Sequence, residues 1–147
     1  MTFDLADRAI YGFATSEHLR FADVDANGHV NNGAFLHLLE NARVSYIRQI
    51  VRSGLPRFRV VVGRLEIDFR RQMFYPGSAI ACARLIGTEE RKCFIGHALF
   101  DGDGHCTATL RAIMVSLNEE THRSMPFDPA VRTALKRFAA SKDGLPT

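Results

Sequence analysis

The sequence predicts an α+β fold in which one antiparallel sheet curls around a single long apolar helix, with a short helix near the end of the chain. Three observations carry this expectation. Between Gly33 and Arg52 apolar residues recur every three or four positions, and beyond that segment the periodicity drops to two, in runs separated by turn residues. The length of 147 residues suits one domain and is too short for two independent cores. One domain over residues 1–147 is therefore expected, with its core from about residue 13 to residue 138.

Taken in order, Phe13 to Phe21 is a strand candidate, followed by the polar, turn-rich stretch Ala22 to Asn32. In the helix, Phe35, Leu39, Ala42, Tyr46 and Ile50 form one face, which Leu36, Leu38, Val44, Ile47 and Val51 widen. A helix apolar over so much of its circumference is expected to be enclosed. Asn31 or Asn32 suits its N-cap, and Gly54 followed by Pro56 ends it. From Arg64 to Arg70, Leu65, Ile67 and Phe69 alternate with charged residues, as in a half-buried strand. Ser78 to Ile86, Cys93 to Phe100 and His105 to Leu117 are further strands. Asp101-Gly102-Asp103-Gly104 joins the last two as a hairpin, and Gly87 to Lys92 is a looser turn. Asp128 and Pro129 open an amphipathic helix whose Val131, Leu135 and Phe138 share a face, and the polar tail from Ser141 is expected to fray.

Composition narrows the class. Hydrophobic residues at 46% and charged residues at 24% exclude a disordered or fibrous chain. No apolar run reaches the roughly 18 to 20 residues of a membrane span, and acids and Arg8 interrupt the first eleven residues, so neither a membrane partner nor a signal peptide is expected. Cys82, Cys93 and Cys106 are odd in number and far apart, which suits small core residues of a reducing compartment such as the cytoplasm. A net charge of +3, spread along the chain without a basic aromatic-interleaved segment, is too weak for nucleic-acid binding.

Chemistry concentrates in Arg20-Phe21-Ala22-Asp23-Val24-Asp25-Ala26-Asn27-Gly28-His29-Val30-Asn31-Asn32, which brings two carboxylates, an imidazole and three carboxamides to the start of the long helix. The first N–H groups of a helix lack intrahelical partners and carry the positive end of its dipole, so they stabilise an oxyanion. An acid or base beside them is what acyl transfer requires. Asp, Asn and Gly are also ordinary turn and cap residues. A calcium loop of the EF-hand type opens correctly at Asp23, but its twelfth position is Ala34 where a bidentate acid is needed. His29 has no second His or Cys at ligand spacing, so no metal is expected.

Asp25-Ala26-Asn27-Gly28-His29-Val30-Asn31-Asn32 resembles the D-x-N-x-H-V-N-N motif of acyl-ACP thioesterases, and Asp23-x-Asp25-x-x-Gly28 resembles the corresponding loop of the 4-hydroxybenzoyl-CoA thioesterase family. Both have the hotdog fold. Pattern-level similarity runs from about Thr15 to Leu135 and includes Glu40-Asn41-Ala42-Arg43, Leu65 to Phe69 and the Tyr75-Pro76-Gly77 turn. The resemblance implies a thioester hydrolase acting on acyl-CoA, or on an acyl group borne by an acyl carrier protein, without a cofactor. Asp25 matches the family's catalytic carboxylate, as nucleophile or as general base, and Asn32 would offer its backbone N–H as oxyanion donor. Asn27 and His29 match positions that orient substrate or water, and Glu40 is a further substrate-binding candidate on the helix. Arg57, Arg91 and Lys92 are candidates for the CoA phosphates. The acyl-ACP enzymes of plants carry two such domains where this chain carries one, which implies a homodimer or homotetramer. A non-hydrolysing acyl-thioester binder and a hydratase or dehydratase on the same fold stay open as alternatives.

Overall fold

The computed structural model describes residues 2–146. Strand β1 (Phe13–His18) leads through a short 3-10 turn (Phe21–Asp23) to α1 (Asn32–Arg52). Strands β2 (Val60–Phe69), β3 (Ser78–Thr88), β4 (Lys92–Asp101) and β5 (Cys106–Ser116) follow, then α2 (Pro129–Ala140). The five strands make one antiparallel sheet in the order β1-β3-β4-β5-β2, so β1 and β2 are its edges. This is the sheet-around-helix arrangement of a hotdog fold.

Each helix begins where its cap chemistry places it. The Asn31 side chain accepts from the Ala34 amide at 2.8 Å and opens α1; Asp128 accepts from Ala130, with Pro129 at the first helical position of α2. The first strand stops at His18, three residues short of the expected Phe21, because Asp23 folds back onto the Arg20 amide and turns the chain into the 3-10 segment.

The central strands are buried on both faces. Ala81 to Leu85 and Ile95 to Phe100 are buried without alternation: α1 covers one face, and Leu5 and Tyr11 of the N-terminal segment lie on the side of Cys82, Ala98 and Phe100. A strand covered twice loses its period of two.

Two further expectations change. The helix α1 is not enclosed all round: it lies against β1, β3 and β4, leaving Leu36 and Val44 at 36% and 40% exposure on the side facing β2. The tail from Ser141 is not frayed. The carbonyls of Ile10, Ala139, Ser141 and Lys142 all accept from the guanidinium of Arg84, a fully buried residue of β3, at 2.8 to 3.0 Å. Three of those carbonyls belong to the C-terminal end of α2 and the residues after it, where the helix dipole is negative, so the buried cation meets charge of the right sign. The Tyr46 hydroxyl adds a bond to the Gly144 carbonyl and accepts from the Leu85 amide at 3.0 Å.

Candidate active site

Asp25 is held by a turn built from its nearest neighbours. Its Oδ1 accepts from the amides of Asn27 at 2.9 Å and His29 at 3.2 Å, while its own amide donates to the His29 carbonyl at 2.8 Å. Gly28 donates to the Asp25 carbonyl and sits at φ +82°, a left-handed conformation that a side chain would strain. Val24 and Val30 pair across the neck of this small hairpin, and Val30 donates to the Met73 carbonyl, tying the loop to the segment after β2.

The two aspartates have separate roles. Asp23 is buried, its carboxylate taken up by the amide and guanidinium of Arg20 at 2.8 and 2.9 Å, and its carbonyl receives both the backbone and side-chain N–H of Asn31. The Arg20 hydrogen bond holds the Asp23 carboxyl below its ordinary range. Asp23 therefore sets the entry to α1 and has no free oxygen for substrate. Asp25, by contrast, is exposed in the single chain, and its Oδ2 has no hydrogen-bond partner among the described residues.

Asp25, His29, Asn32, Phe35, Phe69 and Arg70 are among the residues lining a pocket of about 270 Å³ at the start of α1. The Asn32 and Gly33 amides, in the first turn, have no acceptor among the described residues. Edge-on packing of Phe74 on the His29 ring, centroids 5.4 Å apart, steadies the imidazole at the pocket wall. One apolar wall is the pair Phe35 and Phe69, 5.3 Å apart. The pocket thus unites a residue with a free carboxylate oxygen, an imidazole and the first residue of α1, whose amide has no acceptor among the described residues.

Of the residues singled out in the sequence, Asp25, His29 and Asn32 share this pocket, and Asn27 stands on the turn that fixes Asp25. Glu40 lies further along α1, lining a second hollow with Arg43 and Val44. Arg57, Arg91 and Lys92 stand at the other end of the molecule. Arg57 follows the C-terminus of α1, about 30 Å of helix from Asn32. Lys92 pairs with Val115, whereas the pocket lies by the Phe69–Ala108 end of the sheet. Arg57 is bonded to Glu119 at 2.8 Å and Arg91 to the Ser124 carbonyl at 3.1 Å. A larger hollow of about 390 Å³ opens beside Arg57, but it lacks the same chemistry: the acid at that helix start, Asp128, is consumed as the cap, and Pro129 has no N–H to offer. Phe69, Arg70, Arg71 and Gln72 were absent from the sequence candidates, because only the β2–β5 pairing brings the end of β2 to α1.

The comparisons with known proteins agree with the fold. The family model described as the thioesterase-like superfamily matches residues 19–135. A curated protein of Agrobacterium fabrum (strain C58), an L-carnitine dehydrogenase/betainyl-CoA thioesterase, is 23% identical over 133 residues. The match takes in 86% of this chain but 27% of that protein, so the chain spans about a quarter of the relative's length. Among solved structures, a thioesterase from Thermus thermophilus complexed with coenzyme A and Zn is 27% identical, with a TM-score of 0.74 over 85% of this chain and 98% of its own. A thioesterase-superfamily protein from Jannaschia sp. CCS1, 23% identical, superposes with a TM-score of 0.78 over 96% of this chain and 89% of its own. With four-fifths of its length matched and a hotdog architecture around the Asp25 pocket, the chain belongs to the thioesterase-like superfamily.

Proposed function

We propose that this chain hydrolyses acyl thioesters, with acyl-CoA as substrate and Asp25 as the carboxylate that drives the reaction. One observation carries the reading: Asp25, whose Oδ2 has no partner among the described residues, and Asn32, whose amide has no acceptor among them, line the same pocket. The thioester carbonyl oxygen would accept from the Asn32 N–H, which strengthens its bond as negative charge develops on that oxygen. As general base, Oδ2 takes a proton from water whose oxygen attacks the carbonyl carbon, and the C–S bond breaks as the thiol leaves with that proton. As nucleophile, Oδ2 itself displaces the thiolate and water then cleaves the resulting anhydride. His29 and Asn27 act as positioning residues, the first through its ring at the pocket wall and the second through the turn.

A homo-oligomer completes the site in this reading. The outer edge of β2 is unpaired, and Val62, Leu65 and Phe69 on it are 45%, 38% and 47% exposed. An unpaired edge strand with exposed apolar side chains between its charged ones is a seat for another copy of the chain, and such a copy would shield the exposed Asp25 pocket from bulk water. Arg57, Arg91 and Lys92 then serve CoA phosphates only if a neighbouring copy brings its far end to this pocket.

The test is release of CoA from a panel of acyl-CoAs, read with a thiol reagent, for the wild type and Asp25→Asn. An asparagine keeps an oxygen for the Asn27 and His29 amides, so the turn survives while the base is lost. A drop of roughly a hundredfold or more, at unchanged melting temperature, supports the proposal. Equal rates in the two proteins remove Asp25 from the chemistry.

A further inference from the structure

The hollow between the later turns of α1 and the start of β2 is lined by a buried cation that the hydrolytic step does not use. Asn32, Leu36, Glu40, Arg43 and Ile47 follow one another at helical spacing, so they form a single stripe along α1. Strand β2 runs antiparallel beside it: Phe69 meets Phe35 near the Asp25 pocket, and Val60 to Val62 share a hollow of about 340 Å³ with Val44 and Ile47. Met114 of β5 contributes to its floor. The Asp25 pocket and this hollow therefore lie at opposite ends of the seam between α1 and β2.

Arg43 stands in the far hollow and is only 4% exposed, yet no carboxylate bonds it among the described residues. Its Nη1 lies 3.5 Å from Nε2 of His97, whose Nδ1 is 3.2 Å from the Cys82 carbonyl. That arrangement makes the imidazole neutral, Nδ1–H donating to Cys82 and Nε2 accepting from Arg43. A neutral ring does not balance the guanidinium, and Glu40, one turn earlier on α1, attracts it through space without a hydrogen bond. A buried cation with no hydrogen-bonded anion is costly, and the cost is relieved when an anion of the right geometry arrives. Arg48 and Arg59 line the same hollow, against the single acid Glu40, so its charge balance favours an anion. Along the helix, Arg43 lies eleven residues from Asn32, about 16 Å, the span of a medium-to-long acyl chain.

We infer that Arg43 receives a carboxylate at the far end of the acyl group, making this chain selective for thioesters of medium-chain dicarboxylic acids. This rests on the thioesterase reading, since it takes the acyl chain to run from the Asn32 amide along the seam between α1 and β2 to the Arg43 hollow. The guanidinium is planar and forks toward two oxygens, which suits a carboxylate better than a neutral chain end.

Calorimetric binding of monomethyl dodecanedioate and methyl dodecanoate to the wild type and to Arg43→Met tests the inference without depending on turnover, because the ester masks the carboxyl at the thioester end and only the first probe carries a carboxylate. The wild type should bind the monoester acid at least about tenfold more tightly, the discrimination expected of one buried charge-assisted bond. In Arg43→Met that ratio should fall to near one, and Arg43→Lys should restore part of it. Equal binding of the two esters by the wild type overturns the inference, as does a ratio that Arg43→Met leaves unchanged, which would make Arg43 a structural residue. Failure of the separate CoA-release assay would overturn hydrolysis and leave this binding ratio as an independent result.

Discussion

His97 makes the stability of the protein depend on pH in a window where few other groups act. The ring is fully buried on β4, and burial first, then the neighbouring Arg43, pushes its pKa from 6.5 down to about 3. In the unfolded chain the imidazole takes up a proton as pH falls below about 6.5, while the folded protein refuses it until about pH 3. The stability associated with the neutral ring is therefore present in full above pH 6.5 and lost progressively toward pH 3. Each pH unit below 6.5 costs about 1.4 kcal/mol, so lowering the pH from 7.5 to 5 should cost about 2 kcal/mol. At this chain length that corresponds to a fall in Tm of about 4 to 8 °C. Ordinary carboxylates titrate mostly below about pH 5, and the five other histidines are common to the wild type and a His97 variant, so the comparison of the two isolates this ring. The assay is urea or thermal unfolding of the wild type and His97→Gln at pH 7.5, 6.5 and 5. Glutamine keeps an acceptor for Arg43 and a donor for the Cys82 carbonyl but takes no proton. The variant should lose the slope over that window. Parallel slopes in the two proteins would refute a neutral, buried His97.

Arg84→Met leaves four backbone carbonyls near the α2 terminus and Ile10 without their donor; it should destabilise the protein by about 3 to 5 kcal/mol and lower Tm by about 6 to 20 °C, read by calorimetry. The same loss should appear as faster proteolysis of the tail after Ser141. Gly28→Ala and Gly104→Ala form a matched pair, because both glycines sit at positive φ, +82° and +86°, in hairpins with the same hydrogen bonds. Each should cost about 1 to 2 kcal/mol of stability. Only Gly28→Ala should also slow CoA release, since only its turn carries Asp25; an equal loss in both would uncouple the turn geometry from activity.

The matched hairpins show how much of the site was legible before any coordinates. Asp25-Ala26-Asn27-Gly28-His29 and Asp101-Gly102-Asp103-Gly104-His105 follow one pattern, an aspartate, a turn residue two positions on, a glycine and a histidine, and they fold identically. All the bonds that place the Asp25 carboxylate join residues no more than four apart, so they are written into the local sequence. The Asn31 cap and the start of α1 belong to the same class. Arg43 carried a weaker signal, a charge beside the buried face of Ala42 and Tyr46, whose meaning needed His97 from a strand 54 residues away.

By itself the sequence determined the elements, the turn that holds Asp25 and the helix start that faces it, because hydrogen bonds over a few residues and the periods of burial depend only on neighbours along the chain. Tertiary structure decided the rest. Pairing β2 with β5 at the sheet edge brought Phe69 to the Asp25 pocket and Val60 to Val62 beside Arg43, while Arg57, Arg91 and Lys92 came to lie at the other end of the molecule from Asp25. Burying Arg84 anchored a tail whose polarity suggested freedom, since a guanidinium hidden from water must find its acceptors wherever the fold brings carbonyls together.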